Sequence, residues 1–166
     1  MSNSTYILDD TLLASTGKRF LNYIIDIIVF LIAMYSFGIV LGILIALGME
    51  SIREWMSGLG DLGWNLVGIV MLVSYYTLTE GFLGRSVGKL ITGTIVVDEN
   101  GEKINFGSAF KRSLCRLIPF DGLSFLGSRG WHDSITETYV VEKKSLDESL
   151  KLFKDFQLIG VQEAEV

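Results

Sequence analysis

The sequence predicts an α-helical integral membrane protein with two transmembrane helices, a short interfacial amphipathic helix and a small cytoplasmic β-element. Three observations carry that fold class: an apolar composition, two stretches of membrane-crossing length, and basic residues gathered on one side of them. Of 166 residues, 49% are hydrophobic and 20% charged, with one proline and a mean hydropathy of +0.44. Disorder, collagen and coiled coil are excluded, and the chain is too apolar for an ordinary soluble domain of one-domain length. Its net charge of −5, from 14 Lys+Arg and 19 Asp+Glu, lacks the basic footprint of nucleic-acid binding. Cys115, the single cysteine, permits no internal disulfide.

The first span is expected at 21–48, LNYIIDIIVFLIAMYSFGIVLGILIALG, where Asp26 is the sole charge. Its 28 residues reach about 40 Å against a hydrocarbon core of about 30 Å, so the helix tilts or runs into a headgroup layer. A cleaved signal peptide has an apolar region about half as long, so an uncleaved span is expected. The second span, 62–79, holds 18 residues without formal charge, with Trp64 near one end and Tyr75 and Tyr76 near the other. That is the placement of an aromatic belt.

A third apolar stretch, 113–126, is interrupted by Arg116, Pro119 and Asp121 and is too short and polar to cross alone. A helix over about 108–118 groups Lys111, Arg112 and Arg116 on one side and Phe110, Leu114 and Leu117 on the other. It reads as an interfacial helix facing anionic headgroups, the alternative being a soluble core helix with a solvated basic edge. The segment GFLGRSVGK lacks the glycine and Ser/Thr positions of a phosphate loop, so Arg85 and Lys89 are expected in a turn at the headgroups. Lys18 and Arg19 precede the first span and most other basic residues follow the second, while residues 49–61 hold only Arg53 among Glu50, Glu54 and Asp61. The positive-inside rule then puts both termini in the cytoplasm.

Three short strands are expected beneath the bilayer. ITGTIVV and KINF form a hairpin turned at Asn100-Gly101, and ETYVVE at 137–142 adds a third strand. Ser145 to Glu148 has capping-box spacing, opening a helix that aligns Leu146, Leu150 and Phe153 and ends near Gln157. The organisation is thus an N-terminal segment at 1–14, a membrane domain at 15–142 and a tail at 143–166.

Asp26 is the most informative residue. A carboxylate inside a span costs several kcal/mol unless protonated, paired or hydrated, on the order of 2.5–3.5 kcal/mol on insertion scales. Arg19, Asn22 and Asp26 share one stripe of the helix. Two readings stay open: a proton- or cation-binding carboxylate, or a structural ion pair with Arg116, Arg112 or Arg19. Gly38, Gly42 and Ala46 form a small-xxx-small face for close helix packing, pointing to a homo-oligomer or a membrane partner. His132 and Asp133 read as a structural pair at the membrane face, because one His and one Cys cannot furnish a metal site. With no serine in a nucleophile-elbow context either, neither enzyme chemistry nor a cofactor is expected.

Taken in order, KRFLNYIIDIIVF, Glu80, GRSVGKLITGTIVVDENGEKINF, FKRSLCRLI and WHDSITETYVV resemble the RDD family of bacterial membrane proteins across roughly 15–141. The resemblance implies a small multi-span domain of the bacterial inner membrane, with transport of an undefined ligand or cation/proton exchange suggested for members. The three residues of the family name fall on Arg19, Asp26 and Asp133. The sequence departs from the family in its interrupted third stretch, which argues against a third crossing.

Two functions follow as expectations. One is a transporter or channel subunit for a cation or small solute, oligomeric because two spans cannot enclose a path. The other is a non-catalytic anchor that binds anionic lipid through Arg85, Lys89, Lys111 and Arg112, or a protein partner. In that case Arg19, Asp26, Arg116 and Asp133 form a buried electrostatic lock.

Overall fold

The computed structural model describes residues 6–126 and 129–164; the ends of the N-terminal segment and of the tail lie outside the described residues. Two long helices dominate: α1, Thr16–Ala46, and α2, Glu50–Leu83. Ser15 opens α1, its side chain accepting from Lys18 N. α2 outruns its predicted span at both ends, whereas α1 starts before residue 21 and stops two residues short of 48, and the expected 49–61 connection is largely helical. Its break is confined to Gly60, whose φ of 58° and ψ of −175° are non-helical, a conformation glycine adopts without a Cβ clash.

Both helices are long and apolar enough to cross a membrane, and little of their most apolar stretches is buried, 6% in α1 and 17% in α2. Ile28, Ile32, Ile39 and Ile43 on α1, and Leu66 and Val70 on α2, are exposed. A soluble core helix would bury such residues; here their solvent is hydrocarbon.

Beneath the long helices lies a small packed body. A short helix α3, Val87–Thr92, leads into strand β1, Thr94–Val97, which pairs antiparallel with β2, Tyr139–Glu142, in the register Val96↔Val140. The predicted β1–KINF hairpin shrinks to one bridge, Val97↔Lys103, so the sheet has two strands, not three. The physical reason is the turn. Asp98 Oδ1 accepts from the backbone of Asn100 and Glu102, and the chain then enters α4, Phe106–Cys115, through Asn105, whose side chain caps Ser108 N at 2.8 Å.

Strand alternation splits the core in two. Val96 and Val140 pack with Ala14, Ile104 and Ala109; Val97 and Val141 pack with Leu146, which lies on α6, Lys143–Ala164. The N-terminal segment joins this body: Leu13 bridges Val141, and Tyr6 meets Phe153 edge-on and bonds Ser149 at 2.9 Å. The tail helix begins at Lys143, ahead of the expected Ser145 cap, and runs past Gln157. Leu146, Leu150 and the N-terminal apolar residues lock it down, so 143–153 is continuous with the domain.

α4 departs most from expectation. It runs over Phe106–Cys115 rather than 108–118, and its charged face points inward. Arg112 is fully buried, while Phe106, Phe110 and Leu114 are exposed. Of the expected headgroup residues, Lys111 is exposed and Arg85 half-buried, but Lys89 and Arg112 are buried and do not reach lipid. The cause is a counter-charge on α2 that the sequence reading left out.

Candidate functional site: a cavity beside a buried ion cluster

Glu80, the third-last residue before Leu83 ends α2, is wholly buried. Its Oε1 lies 2.8 Å from Lys89 Nζ and 2.8 Å from Arg116 Nη2, and its Oε2 accepts from Arg112 Nε at 2.9 Å. One carboxylate thus ties α2 to α3 and α4. Arg112 bridges onward, its Nη1 lying 2.7 Å from Asp133 Oδ1 and bonding the Thr138 hydroxyl. Asp133 sits on α5, Trp131–Ile135. Arg116 also stacks on the Tyr76 ring, 3.9 Å from its centroid.

A second knot joins α1 to α3. Asp26 Oδ1 accepts from Tyr75 Oη and Gly88 N, each at 2.8 Å, and its Oδ2 accepts from Ser86 Oγ at 2.6 Å. Ser86 is also the N-cap of α3. Asn22, one turn earlier, presents its amide oxygen to Thr94 Oγ1 at 3.0 Å and its nitrogen to Gly88 O at 3.2 Å. Gly88 permits this approach: a Cβ there would fall 2.4 Å from Asn22 O. The expected pairing of Asp26 with Arg112 or Arg116 is not made; three neutral donors hold the carboxylate instead. Arg19, also buried, donates from Nε to Ala14 O at 3.0 Å.

His132 completes the cluster. Its Nδ1 is 2.7 Å from Asp121 Oδ2 and its backbone N donates to Asp121 Oδ1 at 3.0 Å. Facing a carboxylate, Nδ1 carries the proton of the neutral ring. Burial, and after it the Arg116 charge, push the imidazole below its ordinary pKa. Burial pushes the Asp133 carboxyl up, but the Arg112 guanidinium foremost, with His132, holds it down at about 2. Lys89 is lowered by burial, a loss that Glu80 opposes.

Beside these groups lies a cavity of about 540 Å³. Arg19, Asn22, Asp26, Arg116, His132 and Asp133, the residues the sequence grouped as one site, all line it. Lys89, Asp121, Tyr23 and Tyr76 line it too, and an apolar wall is made by Ile27 and Phe30 of α1, Leu72 of α2, and the chain from Leu117 to Phe120. Gly38 and Gly42 stand apart, exposed on α1 with nothing within 4 Å of where a Cβ would sit, and Ala46 is exposed as well. They do not pack on α2.

The sequence reading passed over Glu80 as a site residue, together with Tyr75, Ser86, Asp121 and Thr138. Glu80 had a usable signal. It follows 18 uncharged residues and precedes Lys89 by nine, so an ion pair could have been sought. No metal-ligating group of His, Cys, Asp and Glu occurs among the described residues.

Two lipid-facing helices closed at one end by an ion cluster define a helical membrane protein. The chain belongs to the RDD family, whose model matches residues 13–153. It is similar to the uncharacterized protein YxaI of Bacillus subtilis (strain 168), at 30% identity over 142 residues, covering 75% of this chain and 94% of that protein. No solved structure matches it.

Proposed function

We propose that the protein is one subunit of an oligomeric transporter in the bacterial inner membrane, with both termini cytoplasmic and the cavity as its site for a small solute. The carrying observation is the cavity of about 540 Å³, with charged groups on one wall and Ile27, Phe30 and Leu72 on another. A lock alone needs no such space, because protein interiors leave few voids larger than a water. The volume falls within the range of about 300–1,000 Å³ typical of small-ligand sites. Two helices cannot enclose a path, so the route runs between subunits, and the exposed Gly38, Gly42 and Ala46 face is the surface for that contact. A cation is the weaker solute, since Asp26 is already held by three neutral donors.

Proteoliposomes test this reading with proton flux under sodium or potassium gradients and with efflux of labelled hexyl phosphate. Flux that Leu72→Trp abolishes while the melting temperature holds supports it. Wild-type flux equal to empty liposomes in every arm rejects it.

A second reading, the non-catalytic anchor, draws on the exposed edge of α4. Phe106, Phe110 and Leu114 form an apolar face with exposed Lys111 beside it, suited to lie in a leaflet of anionic lipid.

A further inference from the structure

We infer that the chain from Phe106 to Phe120 is a re-entrant membrane element whose partner is the acyl chains of one leaflet. α4 rises into the hydrocarbon along α2, turns at Pro119 and Phe120, and returns on the side from which it entered. The inference goes beyond both readings of function and holds whichever solute or partner the protein takes.

The contacts along α4 set its direction. Phe106 meets Phe82 edge-on with 4.7 Å between centroids, Arg112 pairs with Glu80, Ser113 Oγ accepts from Thr77 Oγ1 at 3.1 Å, and Arg116 covers Tyr76. As α4 advances, its neighbours on α2 step back from 82 to 76, so the helices run antiparallel over about 9 Å of rise. Both flanks of the element stay together. Lys103 bridges Val97 of β1, and Tyr139 opens β2, which pairs with β1. A segment anchored at both ends in one sheet enters a bilayer without crossing it.

Span length fixes the depth. At one end of α2 the exposed Asp61 follows the break at Gly60, and at the other Phe82 and Leu83 are exposed. Residues 62–83 between them extend about 33 Å, one hydrocarbon thickness of about 30 Å. Were α4 in water, the hydrocarbon could begin no lower than Tyr76. Residues 62–76 would then have to cross with about 22 Å, which is too short. The α4 helix is therefore carried into the slab with α2.

The surface and the backbone fit that place. From Phe106 to Phe120 every exposed position is apolar or glycine except Lys111, whose long stem lets the ammonium reach back to the headgroups. Exposed charge gathers instead around the sheet, at Glu99, Glu102, Lys103 and Glu137. Irregular backbone at membrane depth must find its hydrogen bonds within the protein. At the tip Leu117 N donates to Leu114 O, Ile118 N to Cys115 O and Asp121 N to Ile118 O, while Pro119 has no N–H to satisfy. Phe120, at φ +69°, reverses the chain, and Gly122 then lies against the Tyr23 ring of α1.

The test reads depth with one nitroxide at a time on the full chain in liposomes of phosphatidylcholine and phosphatidylglycerol. In a Cys115→Ser background the labels go on Phe110→Cys, Leu114→Cys and Ile118→Cys, all exposed positions, with an unchanged melting temperature as the check on folding. Lys103→Cys is the aqueous reference and Ile39→Cys the reference within a span. Electron paramagnetic resonance measures collision with oxygen, which concentrates in hydrocarbon, and with a water-soluble nickel chelate, which stays out of it. The Leu114 and Ile118 labels should meet the chelate about tenfold less than the Lys103 label and meet oxygen as readily as the Ile39 label. The oxygen-to-nickel ratio should rise from 110 through 114 to 118. Chelate contact at 114 and 118 equal to that at 103 would put the face in water and overturn the inference. Equal ratios at all three positions would lay α4 flat on the surface and overturn re-entry. Low collision with both reagents would mean that protein, a second copy or another chain, covers the face, and would overturn the lipid assignment. Absence of solute flux bears on the transport reading alone.

Discussion

Glu80 Oε2 and Arg112 Nε lie 2.9 Å apart with neither side chain exposed. The same carboxylate answers Lys89 and Arg116, so three cations share one anion, and of the three Arg112 also reaches Asp133. Glu80→Gln removes the anion that Lys89 and Arg116 pair with, and removing one partner of a buried pair costs about 3–5 kcal/mol. Thermal melts in detergent should show a comparable loss for Arg112→Gln. Lys111→Gln, one position away but exposed, should stay within about 0.5 kcal/mol of wild type. Equal melts for the two α4 variants would mean that Arg112 faces solvent after all.

Asp26→Asn and Asp26→Leu should separate charge from hydrogen bonding. Asn keeps one oxygen for Tyr75 and Gly88, and its new NH₂ group donates to Ser86 Oγ, which turns from donor to acceptor. The expected cost is about 1–2 kcal/mol, since only the charge assistance is lost. Leu leaves three donors facing hydrocarbon and should cost more than twice as much. Melting temperatures of the two variants decide it: equal losses would show that the negative charge itself, rather than the acceptors, holds α3.

Gly88→Ala probes the contact between α1 and α3. The added Cβ would fall 2.4 Å from Asn22 O and 3.0 Å from Asn22 Cα. Backbone atoms cannot swing aside as side chains do, so α3 must lift off α1 and release Asp26 and Asn22. A loss above about 3 kcal/mol, at the severe end for core overpacking, is expected in the melt. Gly42→Ala, with nothing within 4 Å, serves as the control and should be silent for the single chain. A mild Gly88→Ala phenotype would refute the close packing.

The parts of the fold that were legible in the sequence are those where one local signal decides. The two long helices follow from apolar length, β1 from Ile95, Val96 and Val97, and the α6 face from Leu146 and Leu150. The orientation of α4 was not legible, because a helix with basic and apolar sides fits a bilayer surface or a charged interior equally well. Glu80 decides between them, and it lies 32 residues away in sequence. Likewise Asp26 was found from its cost in a span, but its partners were not: Tyr75, Ser86 and Gly88 are neutral donors that no charge pattern marks.

Stability should fall in two steps on acidification, and each has a separate owner. Burial and the Arg116 charge hold His132 below its unfolded pKa of 6.5, so the unfolded chain binds its proton first. Its contribution is complete above pH 6.5 and is lost as the pH drops from there toward the folded value. Asp133, held at about 2 by Arg112 foremost and by His132 against the effect of burial, contributes above its unfolded value of 3.8 and loses that contribution between 3.8 and 2. A gap of nearly two units corresponds to about 2 kcal/mol. Melting temperatures measured from pH 8 to pH 3 should therefore decline below 6.5 and again below 4. His132→Asn places an amide nitrogen where Nδ1 meets Asp121, so it keeps that hydrogen bond without a titratable ring. The variant should lose the upper step and retain the lower one. A wild-type melt that stays flat between pH 7 and pH 5 would show that His132 is not held neutral by its surroundings.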